Sequence, residues 1–92
     1  MPRFTVTAVI SNKLGLHARP AMAFVDTAAE FQSSIVVKRT DGQAEAVDGK
    51  SIMEIMMLAA TKGTELEIIA DGEDAEQSAT ALKKLVDGGF GE

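Results

Sequence analysis

Apolar residues recur at every second position in one stretch of this chain and at every third or fourth in the next, and that switching of period leaves few folds open. Phe4, Val6, Ala8 and Ile10 alternate with Thr5, Thr7 and Val9, the period of two of a half-buried strand. After the polar break Ser11-Asn12-Lys13, the run from Ala18 to Ala29 places Ala21, Met22, Val25, Ala28 and Ala29 at helical spacing. Ser34 to Arg39 alternates again through Ile35 and Val37, and Asp41-Gly42 supplies the backbone of a tight hairpin turn before a third strand, Gln43 to Val47. Ser51 opens a short apolar helix, Ile52 to Ala60, whose end is marked by Gly63; Thr64 to Ala70 then alternates through Leu66 and Ile68 as a fourth strand. A last helix covers Asp74 to Asp87, with acids in its first turn, Lys83 and Lys84 near its end and Gly88-Gly89 as its stop. Its buried stripe is Ala75, Ala79, Leu82 and Val86.

The order βαββαβα predicts an α+β fold, an open-faced two-layer β-sandwich in which one four-stranded antiparallel sheet carries all three helices on one face. Ninety-two residues, 46% of them hydrophobic, suffice for one core, and no repeat or linker interrupts the chain, so residues 1–92 read as a single domain. Without cysteine the chain suits a reducing compartment, and without a long apolar run it carries no secretion signal or membrane span; the expected location is the cytoplasm.

Fold alone does not decide function, because split βαβ arrangements also bind RNA. An RNA-binding sheet needs exposed aromatics, and this chain has no Tyr or Trp and only four Phe; its net charge of -5 also opposes binding to nucleic acid or anionic lipid. No glycine spacing spells a nucleotide loop, and a single histidine without cysteine offers no transition-metal set, so neither a cofactor nor a metal is expected. Charge is nonetheless uneven. Arg3, Lys13 and Arg19 precede the first acid, Asp26, whereas Glu65, Glu67, Asp71, Glu73, Asp74 and Glu76 run without a base.

The most informative segment is Gly15-Leu16-His17-Ala18-Arg19-Pro20-Ala21. If the helix starts at Ala18, His17 holds the N-cap, where Ser, Thr, Asp or Asn would normally accept the free amide hydrogens. Pro20 in the first turn supports that boundary, since its missing N–H is harmless there. The amides of Ala18 and Arg19 then stay open beside the positive helix end and the Arg19 guanidinium, together an anion site that suits a phosphate. The same positive charges disfavour the imidazolium, keeping the ring neutral and nucleophilic, and can spread the charge of a transferring phosphoryl group. The plainer alternative is a lone surface or half-buried histidine beside an accidental Arg-Pro. Ser51-Ile52-Met53-Glu54 is a capping-box pattern, in which the Ser hydroxyl accepts a first-turn amide and the Glu carboxylate returns to the amide of Ser51.

Gly-Leu-His-Ala-Arg-Pro-Ala after a first strand, followed about thirty residues later by Asp48-Gly49-Lys50-Ser51-Ile52-Met53, strongly resembles the HPr family, the histidine-containing phosphocarriers of the phosphoenolpyruvate-dependent sugar phosphotransferase system. The resemblance implies a sheet in the order 1-4-2-3. It implies phosphorylation of His17 on Nδ1 by an enzyme I type donor, stabilised by Arg19 and the amides of Ala18 and Arg19, and onward transfer to a IIA-type component. Met22, Ile52, Met53 and Met56, with Arg19, would form the surface that both partners recognise, while Ile55, Leu58 and Met57 fill the core. The chain would act as a monomer without independent turnover of small molecules. The family's kinase/phosphorylase would modify Ser51, although Glu54 stands where regulated relatives carry glycine. A second reading follows: a regulatory binding protein acting through Ser51 while His17 lies idle. One departure is Leu14, three residues before His17, where relatives often carry Ser or Asn; Asn12 takes its part if the loop curls inward.

Overall fold

The computed structural model describes residues 2–92. The alternating segments become β1 (Arg3–Val9), β2 (Ser34–Arg39), β3 (Val47–Asp48) and β4 (Glu65–Asp71), and the segments with helical spacing become α1 (Ala18–Ala28), α2 (Ile52–Met57) and α3 (Ala75–Asp87). The strands form one antiparallel sheet in the order β1-β4-β2-β3. Register puts Ile68 between Val6 and Val37, and Ala70 between Phe4 and Ile35, so one face of the sheet is apolar and covered by the helices. Leu66 and Ile68 on the central strand are fully buried, each stabilising the fold by about 2 kcal/mol relative to exposure. None of the helices among the described residues is long and apolar enough to cross a membrane.

The α3 stripe is the expected one, Ala75, Ala79, Leu82 and Val86, with Ser78 buried beside it. The α1 stripe differs. Pro20, Ala21, Phe24 and Ala28 face the core, while Met22 and Ala29 are exposed, because the larger Phe24 sets which side of the helix turns inward.

The hairpin is also looser than expected. Gln43 to Ala46 are not strand, and β3 joins the sheet only where Val47 and Asp48 meet Val37 and Val36. Asp41 accepts from the Arg39 guanidinium at 2.8 and 3.0 Å and from the Gln43 amide at 3.0 Å, which turns the chain away from the ladder. Gln, Ala and Glu have little preference for a pleated surface. The same Arg39 reaches the carbonyls of Leu58 and Ala59 at 3.0 and 3.3 Å, and Ala59 adopts a left-handed φ of 50°. α2 therefore ends at Met57, before Ala60, the two carbonyls that follow it held by an arginine from another element.

Two acids fasten α3. Asp74, before its first turn, accepts from the amides of Gln32 and Ser33 at 2.8 and 2.9 Å and from the Ser33 hydroxyl; that hydroxyl, then the Gln32 amide, holds its carboxyl below the usual carboxylate range. At the other end Lys83 donates to the Thr7 carbonyl at 2.6 Å and pairs with Asp87 at 2.9 Å, while Asp87 accepts from the Val9 amide at 3.3 Å. The Lys83 hydrogen bond depresses the Asp87 pKa.

Candidate functional site

The loop from Ile10 to His17 is held by backbone before any side chain acts. Ile10 donates to the Thr64 carbonyl at 2.9 Å and accepts from the Gly63 amide at 2.8 Å, and the Leu16 amide donates to Ala60 at 2.9 Å. Gly15 makes that last approach possible. Its φ is 69°, and a Cβ there would overlap the Ala60 carbonyl oxygen and lie 2.8 Å from the Thr61 Cα. Leu16 is buried beneath the loop, fixing the residue that follows it.

His17 is the N-cap of α1, extended at φ -78° and ψ -174°, with its carbonyl accepting from Ala21 at 3.0 Å and no side chain capping the helix. Among the described residues no protein group accepts from the amides of Ala18 or Arg19, and Pro20 has none to offer. Two donors consequently point out of the positive end of a helix beside an imidazole. The Arg19 side chain is exposed and makes no hydrogen bond or ion pair among the described residues.

Two features went unforeseen. Beyond α3 the chain does not simply stop at Gly88-Gly89: a 3-10 turn, Gly89–Gly91, returns it to the site with Phe90 packed against the core. Glu92 then lies against His17, its carboxylate oxygens 3.2 and 3.3 Å from Nε2. A carboxylate can only accept, so Nε2 carries a hydrogen, and in the neutral ring the lone pair then lies on Nδ1. Nothing in the local pattern around His17 signals Glu92; three glycines about Phe90 signal only that the chain can reverse. The second feature is Lys62, brought from the turn before β4 into the same open cleft, which is lined by Asn12, Leu14, His17, Ala18, Arg19 and Glu92 among others. Lys13 stands there too, so three cationic residues line the cleft that holds the ring.

The loop does curl inward at Asn12, which is 6% exposed, while Leu14 points outward at 70%. Asn12 donates to the Gly15 carbonyl at 2.8 Å and to Glu92 at 3.1 Å, and so clamps the loop. Its Oδ1 is buried without a partner.

Ser51 lies outside the cleft. Its hydroxyl accepts from the Glu54 amide at 3.3 Å, as the capping pattern requires, but Glu54 does not return to the Ser51 amide. Its carboxylate accepts from Asp48 at 3.0 Å, and the Ser51 amide donates to the Asp48 carbonyl at 3.1 Å. On α2, Ile55 and the following Leu58 are buried and Ile52 is half-buried against the core, whereas Met53 and Met56 are exposed. Met57 is exposed as well, on the opposite side of the helix from Ile55, and does not fill the core. Met22 is exposed one turn beyond Ala18 on α1, which packs against α2.

Residues 4–87 match the family model described as the PTS HPr component phosphorylation site. The chain is 49% identical over 83 residues to the phosphocarrier protein HPr of Neisseria meningitidis serogroup A, covering 90% of each. It is 40% identical over 84 residues to the multiphosphoryl transfer protein of Salmonella typhimurium, covering 91% of this chain and 22% of that larger one. Among solved structures, HPr from Thermoanaerobacter tengcongensis superposes with a TM-score of 0.84 at 42% identity, over 100% of this chain and 98% of that one.

Proposed function

This chain belongs to the HPr family of the phosphotransferase system, and we propose that phosphate enters and leaves it through Nδ1 of His17. It is a phosphoryl carrier. The observation that supports His17 as the carrier atom's owner is the pair of open amides at Ala18 and Arg19 beside a ring whose Nε2 is already occupied by Glu92. The Nδ1 lone pair attacks the phosphorus of a phosphorylated donor, the bond to the donor's leaving atom breaks, and the new P–N bond is reversed in the same geometry when an acceptor arrives. The two amides, fixed by the helix start, supply charge stabilisation that needs no rearrangement, and the exposed Arg19 guanidinium adds a positive charge at the cleft.

The donor in this reading is an enzyme I type phosphotransferase and the acceptor a IIA-type component; both meet Met22, Met53 and Met56, with Ile52 supporting them from beneath. Residues 1–92 act as one phosphocarrier domain and as a monomer. A role through Ser51 alone has less support, because its hydroxyl is engaged in capping and the carboxylates of Asp48 and Glu54 would face a phosphate placed there.

The test is incubation with phosphoenolpyruvate and enzyme I. One phosphate should appear, labile to acid, stable to base, and located on Nδ1 by nitrogen-resolved NMR. An unchanged mass, or phosphate on Nε2 or on Ser51, overturns the reading.

A further inference from the structure

All four described methionines are exposed: Met53 75%, Met57 72%, Met22 53% and Met56 43%. The hydrophobic core contains none of them, being built from Ala, Val, Ile, Leu and Phe. The chain has no cysteine, tryptophan or tyrosine, so thioethers are the oxidisable side chains that solvent reaches most readily. Met56 and Met57 lie three and four residues beyond Met53 on α2, and Met22 stands one turn from Arg19 on the helix that packs against it.

We propose that Met22, Met53, Met56 and Met57 are sites of reversible oxidation by hydroperoxides, and that their sulfoxides weaken the coupling of His17 to its partner proteins. The inference rests on the docking role proposed above for Met22, Met53 and Met56. In the step, the thioether sulfur attacks one peroxide oxygen, the S–O bond forms as the O–O bond breaks, and the peroxide is reduced by two electrons to water or an alcohol. Reversal needs a methionine sulfoxide reductase with a dithiol, which becomes a disulfide as the oxygen leaves as water. A thioether repacks readily against different apolar partners; a sulfoxide brings a polar oxygen that a docked partner buries without a donor. The fold itself should be untouched, because none of the four described methionines belongs to the core.

The experiment treats the protein with hydrogen peroxide, removes the excess with catalase, and measures phosphoryl transfer from phosphoenolpyruvate through enzyme I against the concentration of this protein. Peptide mass mapping assigns the added oxygens. The expected result is a KM raised about tenfold, the scale of burying one unpartnered polar group, with kcat and the unfolding midpoint little changed, and with recovery after treatment by sulfoxide reductases. A protein with M22L, M53L, M56L and M57L together should show the same KM before and after peroxide, whatever its starting value. The proposal fails if oxygen is added at these four positions without a rise in KM, if the leucine protein remains sensitive, or if peroxide that oxidises free methionine leaves these residues unmodified. M53Q with M56Q separates it from the docking role: an unchanged KM in that protein defeats the docking role, whereas a raised KM there, with the KM of the unsubstituted protein unmoved by peroxide, defeats the oxidation alone.

Discussion

The starts of α1 and α2 solve the same problem in opposite ways. Each helix follows an extended residue, His17 or Ser51, and each presents first-turn amides that need acceptors. Ser51 caps the third-position amide of α2, that of Glu54, with its hydroxyl, so α2 is closed there; His17 gives its helix a carbonyl but no side-chain cap, and the third position of α1 is Pro20, which has no amide to cap. An open start is less stable, and the chain keeps it where a histidine, Arg19 and the cleft converge. What sets the α1 start apart is that its open amides lie beside a histidine and line a cleft, whereas the start of α2 offers a hydroxyl cap and no such neighbour.

The contrast can be broken hardest at His17 itself. H17A should lower phosphate incorporation from enzyme I by a factor of about 10³ or more, because it removes the proposed acceptor atom itself, while circular dichroism shows the fold retained. A18P is the sharper probe. Proline is at home in the first helical position, and the extended conformation of His17 suits the residue before a proline, so the substitution deletes one open amide without breaking the helix. It should reduce kcat/KM by about 10²-fold, the usual effect of one lost oxyanion donor, with an unfolding midpoint at least as high as before. R19K should cost about tenfold in the same assay, since a point charge replaces a planar fork of donors. At the closed start the effect is on stability: S51A should lose roughly 1 kcal/mol in denaturant unfolding, and a loss of transfer as large as that of A18P would erase the distinction between the two ends.

The smallest effect concerns the third helix start. Asp74 and Asp87 have depressed folded pKa values, so their contributions are complete above the ordinary carboxylate range and fall away as pH drops through the folded values. D74N should flatten the acid side of the stability profile and leave neutral-pH phosphoryl transfer intact; an unchanged acid limb would show that the Ser33 contact does not act through charge.

Much of this was legible in the chain. Period-two alternation located β1, β2 and β4 to within a residue, and the α3 stripe was read correctly, because both signals are local and repeated. The open α1 start was legible for the same reason: a missing cap is visible in three residues. What escaped depends on distant partners. The early end of α2 is enforced by Arg39 from β2, the collapse of the third strand to Val47–Asp48 by Asp41, and Glu92 reaches His17 only because the tail turns back over a core that no local window reveals. The capping box erred in half of its geometry, since Asp48 offered Glu54 a different amide.

The clasp of Lys83 and Asp87 on β1 has a consequence for recognition. A free sheet margin invites an added strand, and the Thr7 carbonyl and Val9 amide are two of the groups such a strand would use. Both are occupied from α3. Along that end of β1, visitors are left with side-chain shape and charge to read rather than strand backbone, and a contact of that kind can be made and released without unzipping any part of the sheet.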